Sequence, residues 1–283
     1  MSQISGDTPT VVLTGVTGGL GRASVVNLAR RGAHLVLLAR NPEAAARVAA
    51  EADAAGSASV DVVECDLSVM SSVRSAAADI AARPGRPDVL VSIAAAVAPV
   101  RTVTAEGNEL MLATNYVGPW LLTQLVLGSL PQNSGFRFIA VGGPLKTKPD
   151  LADLDCAQGF APLKAFERSK TALNLFTAAA PRHSAIDLRA VIYAPGLMKT
   201  GLSATLTSAT AGPAGTLMGK FLPSPAGSAE GLASLIWSTD LSDVAAGTVF
   251  DRHGKTSPMP LLNEVSLQEN LWEQTRRRLD MPE

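Results

Sequence analysis

The sequence predicts an α/β fold: one domain built on a doubly wound parallel sheet of about seven strands, with helices on both faces. Three observations predict it. Short apolar runs alternate with longer helix-patterned segments along most of the chain. The apolar runs do not alternate with polar residues, as expected of strands buried on both faces. The first run ends in a glycine-rich turn that opens a helix.

The elements follow in order. Residues 10–14 form a short strand, and a helix spans about 19–31. A second strand covers 34–39. Pro42 then starts a helix at its first turn, where a missing N–H costs nothing. Residues 59–64 are a third strand and 69–82 a third helix. A fourth strand at 88–94 is bounded by Pro84, Gly85 and Pro87. The stretch 106–130 reads as one long helix that Gly118-Pro119 bends. A fifth strand at 136–141 and a helix from Pro162 to about residue 180 come next. A sixth strand at 187–193, a helix near 228–238 and a strand near 248–250 complete the core. Helical crossovers of ten or more residues make the strand connections parallel and right-handed.

Within one domain spanning 1–283, residues 8–145 form a nucleotide-binding half. Residues 146–260 carry the active-site and substrate-loop half, and 261–283 are a C-terminal helical tail. The segment 201–228 is rich in Gly, Ala, Ser, Thr and Pro, with Lys220 its only charge. A loop of that length is expected to be functional, here a mobile lid over an apolar pocket.

Composition narrows the function. Of 283 residues, 47% are hydrophobic and 17% charged, and the net charge is −1, which suits a buried core and argues against nucleic-acid partners. Arg276, Arg277 and Arg278 read as the solvated end of the last helix. No apolar stretch reads as long enough to span a bilayer. Cys65 and Cys156 without a secretory core imply free thiols in a reducing compartment, so a cytoplasmic location is expected.

The turn Thr14-Gly15-Val16-Thr17-Gly18-Gly19-Leu20-Gly21 follows a strand and opens a helix, the context of a dinucleotide fingerprint. Gly15 allows the tight turn, Gly19 the approach of a pyrophosphate, and Gly21 close packing of helix on strand. The second strand ends in Leu38-Ala39-Arg40-Asn41, without the carboxylate that would hold a ribose 2′-hydroxyl. Arg40 is placed to grip a 2′-phosphate instead, with Arg22 as a second charge. The expected cofactor is therefore NADP(H). Asp66-Leu67 follows the third strand, where Asp66 either caps the next turn or reaches the adenine.

Together these residues resemble the short-chain dehydrogenase/reductases over nearly the whole chain, most closely the retinol-dehydrogenase and WW-domain-oxidoreductase-like branch. The resemblance runs through Thr14 to Gly21, Asn115 in Thr114-Asn115-Tyr116-Val117-Gly118, and Lys170 in Phe166-Glu167-Arg168-Ser169-Lys170. It continues through Pro195-Gly196-Leu197-Met198-Lys199-Thr200, Gly247-Thr248-Val249-Phe250 and Leu271-Trp272. It implies a single-domain Rossmann fold. It also implies catalytic roles for Lys170 and Asn115, and cofactor contacts from Lys170, Pro195, Gly196 and Thr200.

Three positions depart from the family. Its asparagine-rich NNAG is here Ser92-Ile93-Ala94-Ala95, its catalytic serine falls on Gly143, and its catalytic tyrosine falls on Phe166. The resemblance assigns the tyrosine to proton donation, the serine to the substrate oxygen, and the lysine to the nicotinamide ribose. Phe166 has no titratable proton and Gly143 no hydroxyl, so both positions read as vacant.

Three functions fit. One is an atypical NADP(H)-dependent oxidoreductase acting on a small apolar carbonyl, enone or quinone. The second is a cyclase, dehydratase or isomerase on the same scaffold. The third is a nucleotide-binding protein without catalysis. Other acids are weaker candidates: Tyr193 reads as core, Tyr116 lies on a different helix face from Asn115, and Lys146 and Lys148 read as solvated. His34, His183 and His253 show no metal-ligand spacing. A homo-oligomer remains open.

Overall fold

The computed structural model describes residues 8–145, 147–196, 224–238 and 241–282. Its strands are β1 (Thr10–Thr14), β2 (His34–Ala39), β3 (Ser59–Glu64), β4 (Val89–Ser92), β5 (Gly135–Val141), β6 (Asp187–Ala194), β7 (Val249–Asp251) and β8 (Thr256–Ser257). They form one sheet in the order β3-β2-β1-β4-β5-β6-β7-β8. All pairings are parallel except the short β7–β8 hairpin. That two-residue strand raises the expected seven to eight.

The helices are α1 (Gly19–Arg30), α2 (Pro42–Ala55), α3 (Met70–Ala82), α4 (Leu110–Ser129), α5 (Pro162–Ala179), α6 (Ala226–Trp237) and α7 (Val265–Arg278). Helices α1, α2 and α6 cover one face of the sheet, and α3, α4, α5 and α7 the other. Local chemistry sets the boundaries. Asn41 caps α2 by accepting the Ala44 N–H at 2.9 Å, ahead of Pro42 in the first turn. Gly56 ends the helix with φ 103°, a conformation open to glycine at little cost. Arg137 on β5 is buried and donates to the carbonyls of Leu235, Ile236 and Ser238. A cation thereby closes the C-terminal end of α6, and burial pushes its pKa down to about 10.

Helix α4 corrects two expectations. It starts at Leu110 rather than near 106, because the Glu109 side chain accepts the Leu112 N–H at 2.8 Å and caps it there. Its second turn is a π-turn, Ala113–Val117, just before Gly118-Pro119. At 20 residues and mean hydropathy 1.2, α4 is also long and apolar enough to cross a membrane by length and composition. Instead 72% of that stretch is buried inside the fold, against α3, α5 and α7. A core helix covered on all sides is apolar all round.

Helix α7 seals this layer. Trp272 meets Trp120 of α4 and Phe176 of α5, with ring centroids 5.2 and 5.8 Å away. Burying aromatic rings of this size contributes roughly 2–3 kcal/mol each. The Tyr116 and Thr275 hydroxyls bond at 2.6 Å across the same seam. The arginines at the end of α7 are not simply solvated. Arg278 pairs with Asp155 at 2.6 Å and donates to Asn108, while Arg276 and Arg277 both hold Glu273.

Candidate active site

The C-terminal ends of β1 to β6 open into one cavity of about 830 Å³. It spans the switch point between β1 and β4, where the strand order reverses and open α/β sheets bind their ligands. One end lies over β2 and β3, the other over β5 and β6.

Between them lies the glycine turn. Gly15 has φ +69°, and a Cβ there would sit 2.6 Å from the Ala94 nitrogen. A Cβ on Gly21 would sit 2.1 Å from the Gly15 carbonyl oxygen. Neither position admits a side chain. Gly18 enters α1 in extended conformation with no side-chain cap, leaving the first N–H groups of the helix for an outside acceptor. Thr17, Gly18, Gly19, Leu20 and Gly21 all line the cavity here. Thr14 closes the floor by accepting the Ile93 and Ala94 N–H groups, each at 3.1 Å. The turn thus has the shape and the free donors that a pyrophosphate requires.

At the β2–β3 end the lining includes Leu38, Ala39, Arg40, Cys65, Asp66 and Leu67. Arg40 is exposed there. Asp66 does cap its own turn: one carboxylate oxygen accepts from both the N–H and the hydroxyl of Ser68. Burial, with Asp66 adjacent, pushes the Cys65 thiol up to about 12, so it stays protonated. Arg22 is not among the lining residues. Its guanidinium is held by the Glu51 carboxylate of α2 at 2.7 and 2.5 Å.

Over β4 the wall is made by residues 93–97, with Leu110 and Thr114 of α4, and at the β5–β6 end by Val141 to Pro144, Phe166, Ala194, Pro195 and Gly196. Phe166, Lys170 and Asn174 follow one another at one-turn intervals along α5. Phe166 is half-buried and faces the cavity. Lys170 is enclosed and donates from Nζ to the Val141 carbonyl at 2.5 Å. Loss of water pushes its pKa down to about 8. Asn174 donates to the Gly143 carbonyl at 2.8 Å. These two side chains fasten the exit of β5. A Cβ on Gly143 would meet none of the described residues within 4 Å.

Lys170 and Asn115 do not line the cavity themselves. Asn115 lies in the π-turn and grips Ala96 with both ends of its amide, at 2.6 and 3.0 Å. It also donates to Ser169 at 2.9 Å, and Ser169 in turn donates to the Phe166 carbonyl. The wall loop, the π-turn and the first turns of α5 are locked into one unit. Thr200 and Lys146 lie outside the described residues, as does almost all of the expected lid at 201–228. At its far end Ser228 already belongs to α6.

The pattern that defines the family "short chain dehydrogenase" matches residues 9–211. The chain belongs to the short-chain dehydrogenases. Within them it is of the retinol-dehydrogenase-like branch. It is 30% identical to mouse retinol dehydrogenase 14 over 280 residues, covering 93% of this chain and 84% of that one. It is 29% identical to human retinol dehydrogenase 13, covering 95% and 83%. Among solved structures, levodione reductase superposes with a TM-score of 0.67 at 20% identity, covering 86% of this chain and 95% of that one. An actinorhodin polyketide ketoreductase variant with NADPH superposes with a TM-score of 0.65 at 20% identity, covering 89% and 97%.

The other titratable candidates in this short-chain dehydrogenase are engaged elsewhere. Tyr193 is enclosed, donates to the Ser228 carbonyl, and is pushed up to about 12 by burial. Tyr116 is enclosed against Thr275, and burial raises its pKa further. Lys148 pairs with Glu264. His34 bonds Ser59, His183 bonds Glu269, and His253 accepts from Arg252. Among the described residues no group of three or more His, Cys, Asp or Glu side chains could hold a metal.

Proposed function

We propose that this protein is an NADP(H)-dependent oxidoreductase for small apolar substrates: an enone, a quinone or a similarly activated carbonyl. The observation that carries it is the polarity of a single cavity. Arg40 stands at one end, the glycine cradle lies in the middle, and Phe166 and Gly143 make an apolar wall at the other end. Membership of the short-chain dehydrogenases, and the NADPH that accompanies the actinorhodin polyketide ketoreductase variant, support a nicotinamide cofactor.

The cradle fits the group. Gly15 and Gly21 give backbone clearance for a pyrophosphate, the start of α1 offers N–H donors, and Arg40 would hold a 2′-phosphate. Bound there, the cofactor would supply or accept a hydride. Lys170, one turn from Phe166, would reach the ribose only by turning from the Val141 carbonyl into the cavity it does not now line, and the wall at 93–97 would exclude water. Phe166 offers no proton. A positioned acid contributes about 10²–10⁴-fold, so plain ketones would react slowly. Substrates that delocalise the negative charge, and take their proton from water, would be favoured.

The test is NADPH oxidation against a panel of quinones, enones and ketones. Turnover of the first two with slow ketone reduction is expected. Cofactor-free conversion of a substrate would replace this reading with a non-redox one.

A further inference from the structure

The chain leaves β5 through Gly142, Gly143 and Pro144, which line the same end of the cavity as Phe166. The backbone donors of this exit are spent unevenly. Gly142 donates its N–H to the Tyr193 carbonyl at 2.9 Å, and Leu145 donates to the Gly143 carbonyl at 2.8 Å. Pro144 has no N–H. The Gly143 N–H finds no acceptor among the described residues, although the residue is half-buried. Backbone donors in such places are nearly always paired, and a ligand is the acceptor that a cavity can supply.

The peptide that carries this N–H is clamped on both sides. Asn174 stands against Gly142, its Oδ1 only 2.4 Å from where a Cβ would begin. The Gly143 carbonyl takes two donors, the Leu145 N–H and the Asn174 amide, both at 2.8 Å. Asn174 is itself fully enclosed and reaches the Met259 sulfur at 3.5 Å. A donor fixed in advance costs no reorganisation when charge develops on its acceptor.

The glycine at 143 is not demanded by its own surroundings. Its φ lies outside the left-handed region, and a Cβ there would meet none of the described residues within 4 Å. What a missing side chain does provide is close approach of a ligand to the backbone.

We propose that the Gly143 N–H holds the oxygen of the substrate at the β5–β6 end of the cavity. The proposal rests on the oxidoreductase reading for the identity of the ligand, an apolar enone, quinone or ketone. A peptide N–H binds and polarises an oxygen but keeps its proton. Charge that develops on the oxygen during reduction is therefore stabilised without being neutralised. A substrate that spreads this charge over a conjugated system is favoured over a plain ketone. Phe166, at the same end, offers no competing donor.

The experiment titrates NADP⁺-loaded protein with 4-phenyl-2-butanone and with butylbenzene, its oxygen-free counterpart. Glycolic acid in place of Gly143, introduced by nonsense suppression, exchanges the N–H for an ester oxygen with little change of shape. The ester also weakens the Gly142 carbonyl as an acceptor, but that carbonyl accepts no bond among the described residues. The exchange should weaken the ketone about three- to tenfold, the worth of one neutral hydrogen bond. Butylbenzene affinity should stay the same, which also shows that the pocket is intact. Gly143→Pro removes the same N–H and should likewise lower the ratio of ketone to butylbenzene affinity. The parent protein gives a reading that needs no variant: the carbonyl stretch of the bound ketone should fall below its frequency in hexane. An unshifted stretch, a ketone affinity that survives the ester, equal weakening of both probes, or a parent that binds neither probe would overturn the proposal. NADPH oxidation is scored separately. Its absence, alongside a ketone preference that the ester removes, overturns the redox reading and leaves the Gly143 donor in place.

Discussion

The Asn174 side-chain oxygen occupies the place where any side chain on Gly142 would begin: a Cβ there would lie 2.4 Å from Oδ1. Asn174 is fully enclosed and that oxygen has no hydrogen-bond partner among the described residues. The next residue, Gly143, has none of the described residues within 4 Å of where its Cβ would stand. Two adjacent glycines therefore have opposite tolerances. Gly142→Ala should cost about 1–3 kcal/mol by overpacking. Gly143→Ala should change stability by less than about 0.5 kcal/mol. Urea unfolding of the two variants measures both, and equal effects would contradict the placement of Asn174.

The room that the described residues leave at Gly143 bears on the proposed chemistry. The double variant Phe166→Tyr with Gly143→Ser should raise reduction of a simple ketone by at least about tenfold, part of what a positioned acid supplies. Steady-state rates with NADPH read the gain. A folded, NADPH-binding double variant with no gain would mean that the chemistry does not turn on these two positions.

The two arginines near the cofactor cradle should behave differently. Arg40→Ala should weaken NADPH about tenfold or more and leave NADH nearly unchanged, as expected for a lost charge-assisted contact. Arg22→Ala should affect neither, because its guanidinium is already committed to Glu51. Fluorescence titration with both cofactors settles it, and equal losses for the two variants would refute the distinction.

Lys170 sets a pH dependence. Its pKa in the folded protein, about 8, lies below the ordinary 10.5, so between these values the unfolded chain binds more protons. Stability from this group therefore rises as pH rises from about 8 to 10.5, and the cost of burying the charge is felt below 8. Lys170→Met should be more stable than the parent at pH 7, by on the order of 1–3 kcal/mol after losing the bond to Val141. The gap should narrow by pH 10. Denaturant melts at the two pH values check it, and a gap that widens would reverse the sign.

Much of the fold was legible in its apolar runs and turn residues. The buried strand 34–39 and the largely exposed edge strand 59–64 both appear at their expected bounds, and Pro42 and Pro162 mark true helix starts. The start of α4 was misread because the turn signal of Gly107-Asn108, with Gly107 at φ 83°, was passed over and Glu109 caps the helix through its side chain. The π-turn leaves no periodic trace in so apolar a helix. Of the site, the glycine turn, Arg40, Asp66, Pro195 and the Phe166 and Gly143 positions all reach the cavity. Arg22 turns toward the neighbouring helix, where Glu51 holds it outside the cavity lining; a residue just after the turn carries no sign of that rotation. Asn174 went unnoticed, although a polar residue one turn beyond Lys170 on a buried face was its signal.

The seam between α4, α5 and α7 has a consequence for biosynthesis. Helix α4 is made well before α7, yet Trp120 and Tyr116 find Trp272 and Thr275 only when α7 arrives. While the ribosome works through the intervening residues, the nascent chain holds an uncovered greasy helix that would suit a membrane or a chaperone cleft. A ribosome stalled before residue 265 should therefore display a chain that recruits trigger-type chaperones, and release of those chaperones should follow emergence of Trp272 from the exit tunnel.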